Sequence, residues 1–452
     1  MTTAAPQATR RAGQPARLAR ACCACLLFLA TAANARANRY LVVFSVQLRN
    51  TGAQTLRHVY LRLAVPTTNE YQIIRGVTIA PREESRQDVP GGDQVALLEF
   101  RELAAGQSAW AFLLVATEPR DIQAGKGLIR RALPREVERQ CLGPSYKVDP
   151  ALPELRDLAA TVTPEEKDPF VITRALVEYI CSEFRYELDD RQDDVPTVLL
   201  TRCGSCSELS RLFVALCRAR GIPARFASGS RLRERKTDVY ADVVHHRWVE
   251  VFLPKFGWFP IDISMAVNRA DPERRFGVIP RDRLVLLRNA GIEDSALYSS
   301  GLALVTPAES IATTVRSYWF QEGASTLRRA MKLVRDRTRS EPPGTGFREA
   351  LLGLPGVQAI PFLAMALHEP VAAGEPALAT AALARTRTPA AAAPLADFAA
   401  LHTVLPEYVT DALLSLTSQR FESGEATRLW LIGPGLGFLR GETAVAPPAP
   451  LE

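Results

Sequence analysis

Between residues 39 and 117 apolar side chains recur at every second position. Val42, Phe44, Val46 and Leu48 alternate with other residues, and Val59, Leu61, Leu63 and Val65 repeat the pattern before Pro66. Period two is the signature of a strand, because successive side chains point to opposite faces. Similar runs cover 72–79, 95–100 and 109–116, the last with Trp110, Phe112 and Leu114 on one face. Asn50-Thr51-Gly52 and Pro90-Gly91-Gly92-Asp93 supply turns between them. Short strands at this spacing predict an all-β sandwich over residues 36–145.

The period then changes. Residues 118–162 read as a charged connector with a weak helical pattern. Thr163-Pro164-Glu165-Glu166 and Asp168-Pro169 each offer a helix start. Ile172, Leu176, Tyr179, Ile180 and Phe184 follow at helical spacing. After Pro223 alternation returns: 225–230 and 242–253 read as strands, and 259–263 as a shorter one. A helix followed by antiparallel strands is an α+β order, and it predicts a core domain over 150–305. From 306 to 440 the pattern reads as helical, including 311–337 with Val315, Trp319 and Leu327. Residues 347–420 are rich in Ala and Leu. The Pro- and Ala-rich tail, 441–452, reads as disordered.

Between the two regimes lies the stretch from Thr201 to Arg225. Ser205 and Glu208 form an S-x-x-E capping box, which makes Ser205 the N-cap and Cys206 the first helical residue. Leu209, Leu212, Phe213 and Leu216 form the i, i+3, i+4, i+7 stripe of a half-buried helix. Gly221 suits the position just past the helix end, and Pro223 forbids continuation. A thiol in the first turn feels the positive end of the helix dipole, which favours thiolate.

Composition narrows the setting. At 452 residues the chain has room for about three domains. Arg10, Arg11, Arg17 and Arg20 precede an apolar run from 21 to 33, and Ala33-Asn34-Ala35 fits a small-x-small cleavage site. Residues 1–35 thus read as a secretory signal, and the run is too short to span a bilayer. The expected location is periplasmic or extracellular. The segment holds four arginines and no acid, so its removal takes the formal charge from +6 to +2. No basic stripe with interleaved aromatics is present, which argues against a nucleic-acid partner. Five cysteines lie beyond the signal: Cys141, Cys181, Cys203, Cys206 and Cys217. An odd number leaves at least one free, and this is no disulfide scaffold.

Cysteine catalysis needs a thiolate, an imidazole that exchanges its proton, and a group that orients the imidazole. Cys206 supplies the first. His246 precedes Trp248 on a strand able to run beside the helix, and Asp262 lies on the next strand across a short turn. His245 points away from His246, and Cys217 sits on the apolar side of the helix. Two further chemistries stay open. Cys203 and Cys206 form C-x-x-C, which fits a redox pair or a disulfide masking the nucleophile. Zinc held by these cysteines with His245 and His246 is the other.

Three motifs in order resemble those of the transglutaminase-like superfamily. Gly204-Ser205-Cys206, with 212–225, resembles its nucleophile motif. His246-Arg247-Trp248-Val249-Glu250-Val251-Phe252 resembles its histidine motif, and Gly257-Trp258-Phe259-Pro260-Ile261-Asp262 its aspartate motif. Tyr186 matches the aromatic that often ends the preceding helix. The resemblance covers about 163–265. It implies a papain-like core with Cys206 as nucleophile, His246 as base and acid, and Asp262 as orienter, with no cofactor and no metal. The implied reaction opens an amide through a thioester. Water then gives hydrolysis of a protein, peptide or peptidoglycan-peptide substrate, whereas a second amine gives cross-linking. A non-catalytic envelope scaffold with a relic core is a further alternative.

Overall fold

The computed structural model describes residues 39–89, 92–123, 133–188, 191, 193–233, 239–267, 276–288, 303–306, 309–321, 356–368 and 374–439. The expected signal, 1–35, and the expected disordered tail, 441–452, lie outside the described residues.

The N-terminal strands are β1 (Tyr40–Asn50), β2 (Leu56–Val65), β3 (Gln72–Ala80), β4 (Ser85–Val89), β5 (Asp93–Leu103), β6 (Ser108–Pro119) and β7 (Ile122–Gln123). Helices α1 (Arg135–Leu142), α2 (Pro153–Val162) and α3 (Pro169–Glu183) follow, then β8 (Arg185–Tyr186), α4 (Val195–Thr201), β9 (Cys203–Gly204) and α5 (Cys206–Ala219). The chain continues through β10 (Ala224–Arg231), β11 (Val239–Asp242), β12 (His246–Leu253), β13 (Gly257–Ile261), α6 (Ile263–Ala266), β14 (Val278–Ile279), β15 (Arg283–Leu287), β16 (Ala303–Thr306) and β17 (Ile311–Gln321). It closes with α7 (Ile360–His368), α8 (Glu375–Arg385), α9 (Ala392–Ala399), α10 (Glu407–Thr417), α11 (Gly424–Ile432) and α12 (Gly435–Leu439).

Three sheets carry the molecule: β11-β17-β1-β6-β3, β16-β2-β5-β4, and β13-β12-β10-β15. The first two share one apolar core, built from Val42, Phe44 and Leu48 of β1, Leu61 of β2 and Leu98 of β5. The intervening residues of the first sheet, Leu41, Val43, Trp110, Phe112 and Leu114, face the other way and pack on the C-terminal helices. That sheet is therefore covered on both faces. The mixed α and β architecture, with sheets first and helices last, matches the fold class expected from the sequence.

Two expectations need correction. Residues 311–321 are not helical: they form β17, antiparallel to β1 over its whole length. Val315 and Trp319, four apart, satisfy the helical i, i+4 spacing and also an even strand spacing, so their separation does not discriminate. The β-branched and aromatic content of the run decides for a strand. Residues 322–337 lie outside the described residues. Second, the sheets do not end at 145, nor does the core own all of 150–305. β16 pairs with β2, and β11 pairs with β17. The chain leaves the core sheet at Arg231, adds β11 to the N-terminal sheet, and returns at His246.

Smaller differences have local causes. Helix α3 starts at Asp168, whose carboxylate accepts from Phe170 N at 2.9 Å, while Thr163 ends α2. Helix α5 is more than half-buried. Glu208, Ser210, Arg211 and Arg218 are as hidden as its apolar stripe. It lies between the β12-β10 surface and helices α2, α3 and α4. Its charged residues survive burial because they are bonded. Arg211 reaches Glu208 at 3.2 Å and the Asp193 carbonyl at 2.9 Å, and Arg218 donates to the Ala224 and Gly143 carbonyls. The helix ends as expected: Gly221 has φ +71°, Ile222 N donates to Cys217 O and Gly221 N to Arg218 O.

A second buried polar group ties the core to the sheets. Glu250 on β12 pairs with Arg225 on β10 at 2.7 Å and accepts from the Tyr71 hydroxyl beside β3. Arg225 also lies over the Trp258 ring, 3.9 Å from its centroid. Glu250→Ala is expected to cost about 3–5 kcal/mol in urea unfolding, because it leaves the Arg225 charge buried and unpaired.

Candidate active site

The site starts at the first turn of α5. Ser205 is the N-cap, and the capping box is complete: the Ser205 hydroxyl accepts from backbone N–H, and Glu208 accepts from Ser205 N at 3.0 Å. A Cβ on Gly204 would come within 2.6 Å of Glu208 Cβ, so only glycine lets this carboxylate fold back. The box fixes Cys206 as the first helical residue. Its thiol is 4% exposed and its Sγ lies 3.9 Å from the His245 carbonyl oxygen.

The reversal between β11 and β12 brings His246 to the head of its strand, opposite Gly229 of β10. Its Nε2 is 2.7 Å from Asp262 Oδ2, which leaves Nδ1 for the thiol. Asp262 follows β13 and caps the short α6. Its Oδ1 accepts from Ser264 Oγ at 2.9 Å and from Met265 N at 3.2 Å. The structure hydrogen-bonds His246 to Asp262 and sets Cys206 within electrostatic reach of His246, so the three residues singled out in the sequence lie in one neighbourhood. Trp248 walls it, stacked on His246 with centroids 6.2 Å apart.

Electrostatics polarise the three residues. Burial opposes a Cys206 thiolate, but the hydrogen bond and charge of His246, with help from Arg247, hold its pKa below the usual thiol value. Burial opposes imidazolium too, yet the Asp262 carboxylate and the thiol raise His246 above its ordinary value. Burial would raise Asp262; His246, Arg283 and Arg231 pull it well below the carboxylate range instead. Cys217, wholly buried without such partners, is pushed upward as a thiol. Both shifts run toward the charged forms, thiolate for Cys206 and imidazolium for His246.

Three charged residues at this site escaped the sequence reading. Arg283 heads β15 and donates to Asp262 Oδ2 at 3.1 Å. Its Nε donates to Asp282 Oδ1 at 3.1 Å, and Asp282 also receives Arg231 at 2.8 Å. The available signal was a charged pair, Asp282-Arg283, opening the apolar run Leu284-Val285-Leu286-Leu287. Charges at the mouth of a buried strand need partners inside.

Val198 to Leu200 lie within α4, so no strand leads into the C-x-x-C. Cys203 is a buried free thiol on β9, with Arg191 Nη2 3.7 Å from its sulfur, and Cys206 is free as well. His246 is engaged by Asp262. Among the described residues no three His, Cys, Asp or Glu side chains converge as metal ligands.

Holding Asp262 ionised has a consequence for stability. Its folded pKa lies below the unfolded value of about 3.9. Its contribution is therefore complete above that pH and is lost as pH falls through the folded value. Asp262→Asn removes this one term. Between about pH 4 and pH 2 its unfolding free energy, measured in urea, should fall less steeply than that of the parent protein.

Residues 156–263 match the family model of the transglutaminase-like superfamily. Over 125 residues the chain is 33% identical to the uncharacterized protein YebA of Bacillus subtilis (strain 168). That match takes in 24% of this chain and 17% of YebA, so the chain spans only a small part of that relative's length. Among solved structures it is similar to a proposed cysteine protease from Cytophaga hutchinsonii, with TM-score 0.44, 16% identity, and coverage of 62% of this chain and 89% of that one. It is also similar to the periplasmic domain of TgpA from Pseudomonas aeruginosa, with TM-score 0.27, 18% identity, and coverage of 52% of this chain and 90% of that one. Residues 156–263 are a transglutaminase-like core, carried in a longer chain that surrounds it with sheets and helices.

Proposed function

We propose that this protein is an exported cysteine hydrolase that cleaves amide bonds in peptides of the cell envelope. The observation that supports this reading is the His246–Asp262 hydrogen bond set beside Cys206, the first residue of a buried, capped helix. In the proposed cycle the Cys206 thiolate attacks the amide carbonyl carbon. The oxyanion that develops sits against the Cys206 backbone N–H, one of the first-turn donors that has no partner within the helix. The C–N bond then breaks, and the His246 imidazolium gives its proton to the leaving amine. Water, losing a proton to the now neutral His246, opens the thioester. The acid leaves, and the thiolate–imidazolium pair is restored. Asp262 holds the imidazole by Nε2 and stabilises its charge.

The export reading rests on the basic-then-apolar pattern of residues 1–35. The mature chain should begin at Arg36, and N-terminal sequencing of protein recovered from the envelope fraction tests it. A chain retained intact inside the cell would overturn it.

The nucleophile can be tested without a substrate. An ordinary thiol, with pKa near 8.5, is about 0.3% ionised at pH 6. Iodoacetamide should still label Cys206 rapidly at that pH, and His246→Ala should slow it at least tenfold. Labelling that rises with pH like free cysteine in the parent protein would sink the proposal. Cys206→Ala should abolish cleavage of envelope peptides.

A further inference from the structure

Asp262 does not serve His246 alone. Oδ2, the oxygen that faces His246 Nε2 at 2.7 Å, also accepts from Arg283 Nη1 at 3.1 Å. Arg283 is 2% exposed and held on its other edge by Asp282, which in turn binds Arg231. Its guanidinium lies 5.0 Å from the centroid of Trp248, the ring that stacks on His246. From α5 to β10, charges of opposite sign alternate: thiolate, imidazolium, Asp262, Arg283, Asp282, Arg231. Such an arrangement is more than a means of tolerating burial, because Arg283 and His246 compete for one oxygen.

We propose that Arg283 is a positioning residue of the reaction, which fixes the Asp262 carboxylate and limits how strongly it stabilises the His246 imidazolium. The inference rests on the reading of Cys206 and His246 as nucleophile and acid. In amide cleavage the imidazolium must surrender its proton to the leaving amine. A carboxylate with no other partner would hold that proton tightly and make a weak acid. Sharing the oxygen with a permanent cation draws off part of the field. The planar fork of arginine also spans Asp262 and Asp282 at once, which a lysine cannot do with the same geometry. Other charges near the pair are Arg247 on β12, close to the thiol, Arg233, beyond β10, which is paired with Asp242 at 3.5 Å, and Arg211 of α5, which is paired with Glu208 at 3.2 Å.

The test is the pH profile of iodoacetamide alkylation at Cys206 in the full chain, followed by fragment-resolved mass spectrometry to separate it from Cys203. In the parent protein the profile has an acid inflection, where the thiolate forms, and an alkaline one, where His246 loses its proton. Arg283→Met should raise the alkaline inflection by about one pH unit, since a nearby cation is lost. Arg283→Lys should return it towards the parent value. Asp282→Asn should lower it, because Arg283 then lacks a counter-charge. A defect of folding alone would not move the alkaline inflection up in Arg283→Met and down in Asp282→Asn. An alkaline inflection unmoved by folded Arg283→Met and Asp282→Asn overturns the proposal. So does a shift of the same sign in both. Circular dichroism checks the fold; if Arg283→Met does not fold, Asp282→Asn and Arg283→Lys decide. Failure of all three to fold would assign these residues to stability and likewise overturn it. A parent protein without the low-pH thiolate inflection would instead fail the nucleophile reading itself.

Discussion

Ionised groups out of water must be paired, and in this protein that requirement organises everything around Cys206. Helix α5 is hidden on nearly every side, yet it carries Glu208, Arg211 and Arg218. Each is bonded within the core, and each bond fixes a neighbour: the turn before the thiol, the 193 loop, the start of β10. Exposed ion pairs would not have this effect, since water competes for them and their net contribution is small.

The same requirement extends past Asp262. A carboxylate at 2% exposure with one imidazole partner would be poorly compensated. Here it has four donors: His246, Arg283, Ser264 and the Met265 backbone. The result is an acid that stays charged and stays still. A second group, Tyr71–Glu250–Arg225, does for the junction with the N-terminal sheets what the first does for the site. Each takes one member from β12, on which His246, Trp248 and Glu250 share one face and Val249 and Val251 the other.

Much of the site was legible in the sequence because its determinants are local. A capping box spans four residues, a helix end announces itself by Gly221 and Pro223, and His246 heads one strand while Asp262 directly follows the next. The order of motifs did the rest. Arg283 was not legible in this way: nothing local says that a cation opening an apolar strand reaches back to Asp262, 21 positions earlier. The two-sheet unit was read from its alternation, but its completion was missed. β17 returns from some 260 residues downstream of β1, and a spacing of four between Val315 and Trp319 is silent about period. β11 was invisible for a similar reason. Of its four residues only Asp242 fell within the strand read over 242–253, and only pairing shows that they belong to another sheet.

That short excursion of β11 bears on what kind of unit this core is. By sequence the family match runs unbroken from 156 to 263 and looks like a cassette. By hydrogen bonds it is not one, because a piece of its middle is a strand of the neighbouring sheet, paired with β17, and Ser230 of β10 bonds to Ser317 and Trp319 of β17 as well. Arg283, on which Asp262 leans, also lies outside the matched segment. A recombination event that moved the matched residues alone would carry Cys206, His246 and Asp262 intact and strand them without their surroundings. In this chain the inheritable module is larger than the motif that identifies it, and the sheets and core are bound to change together.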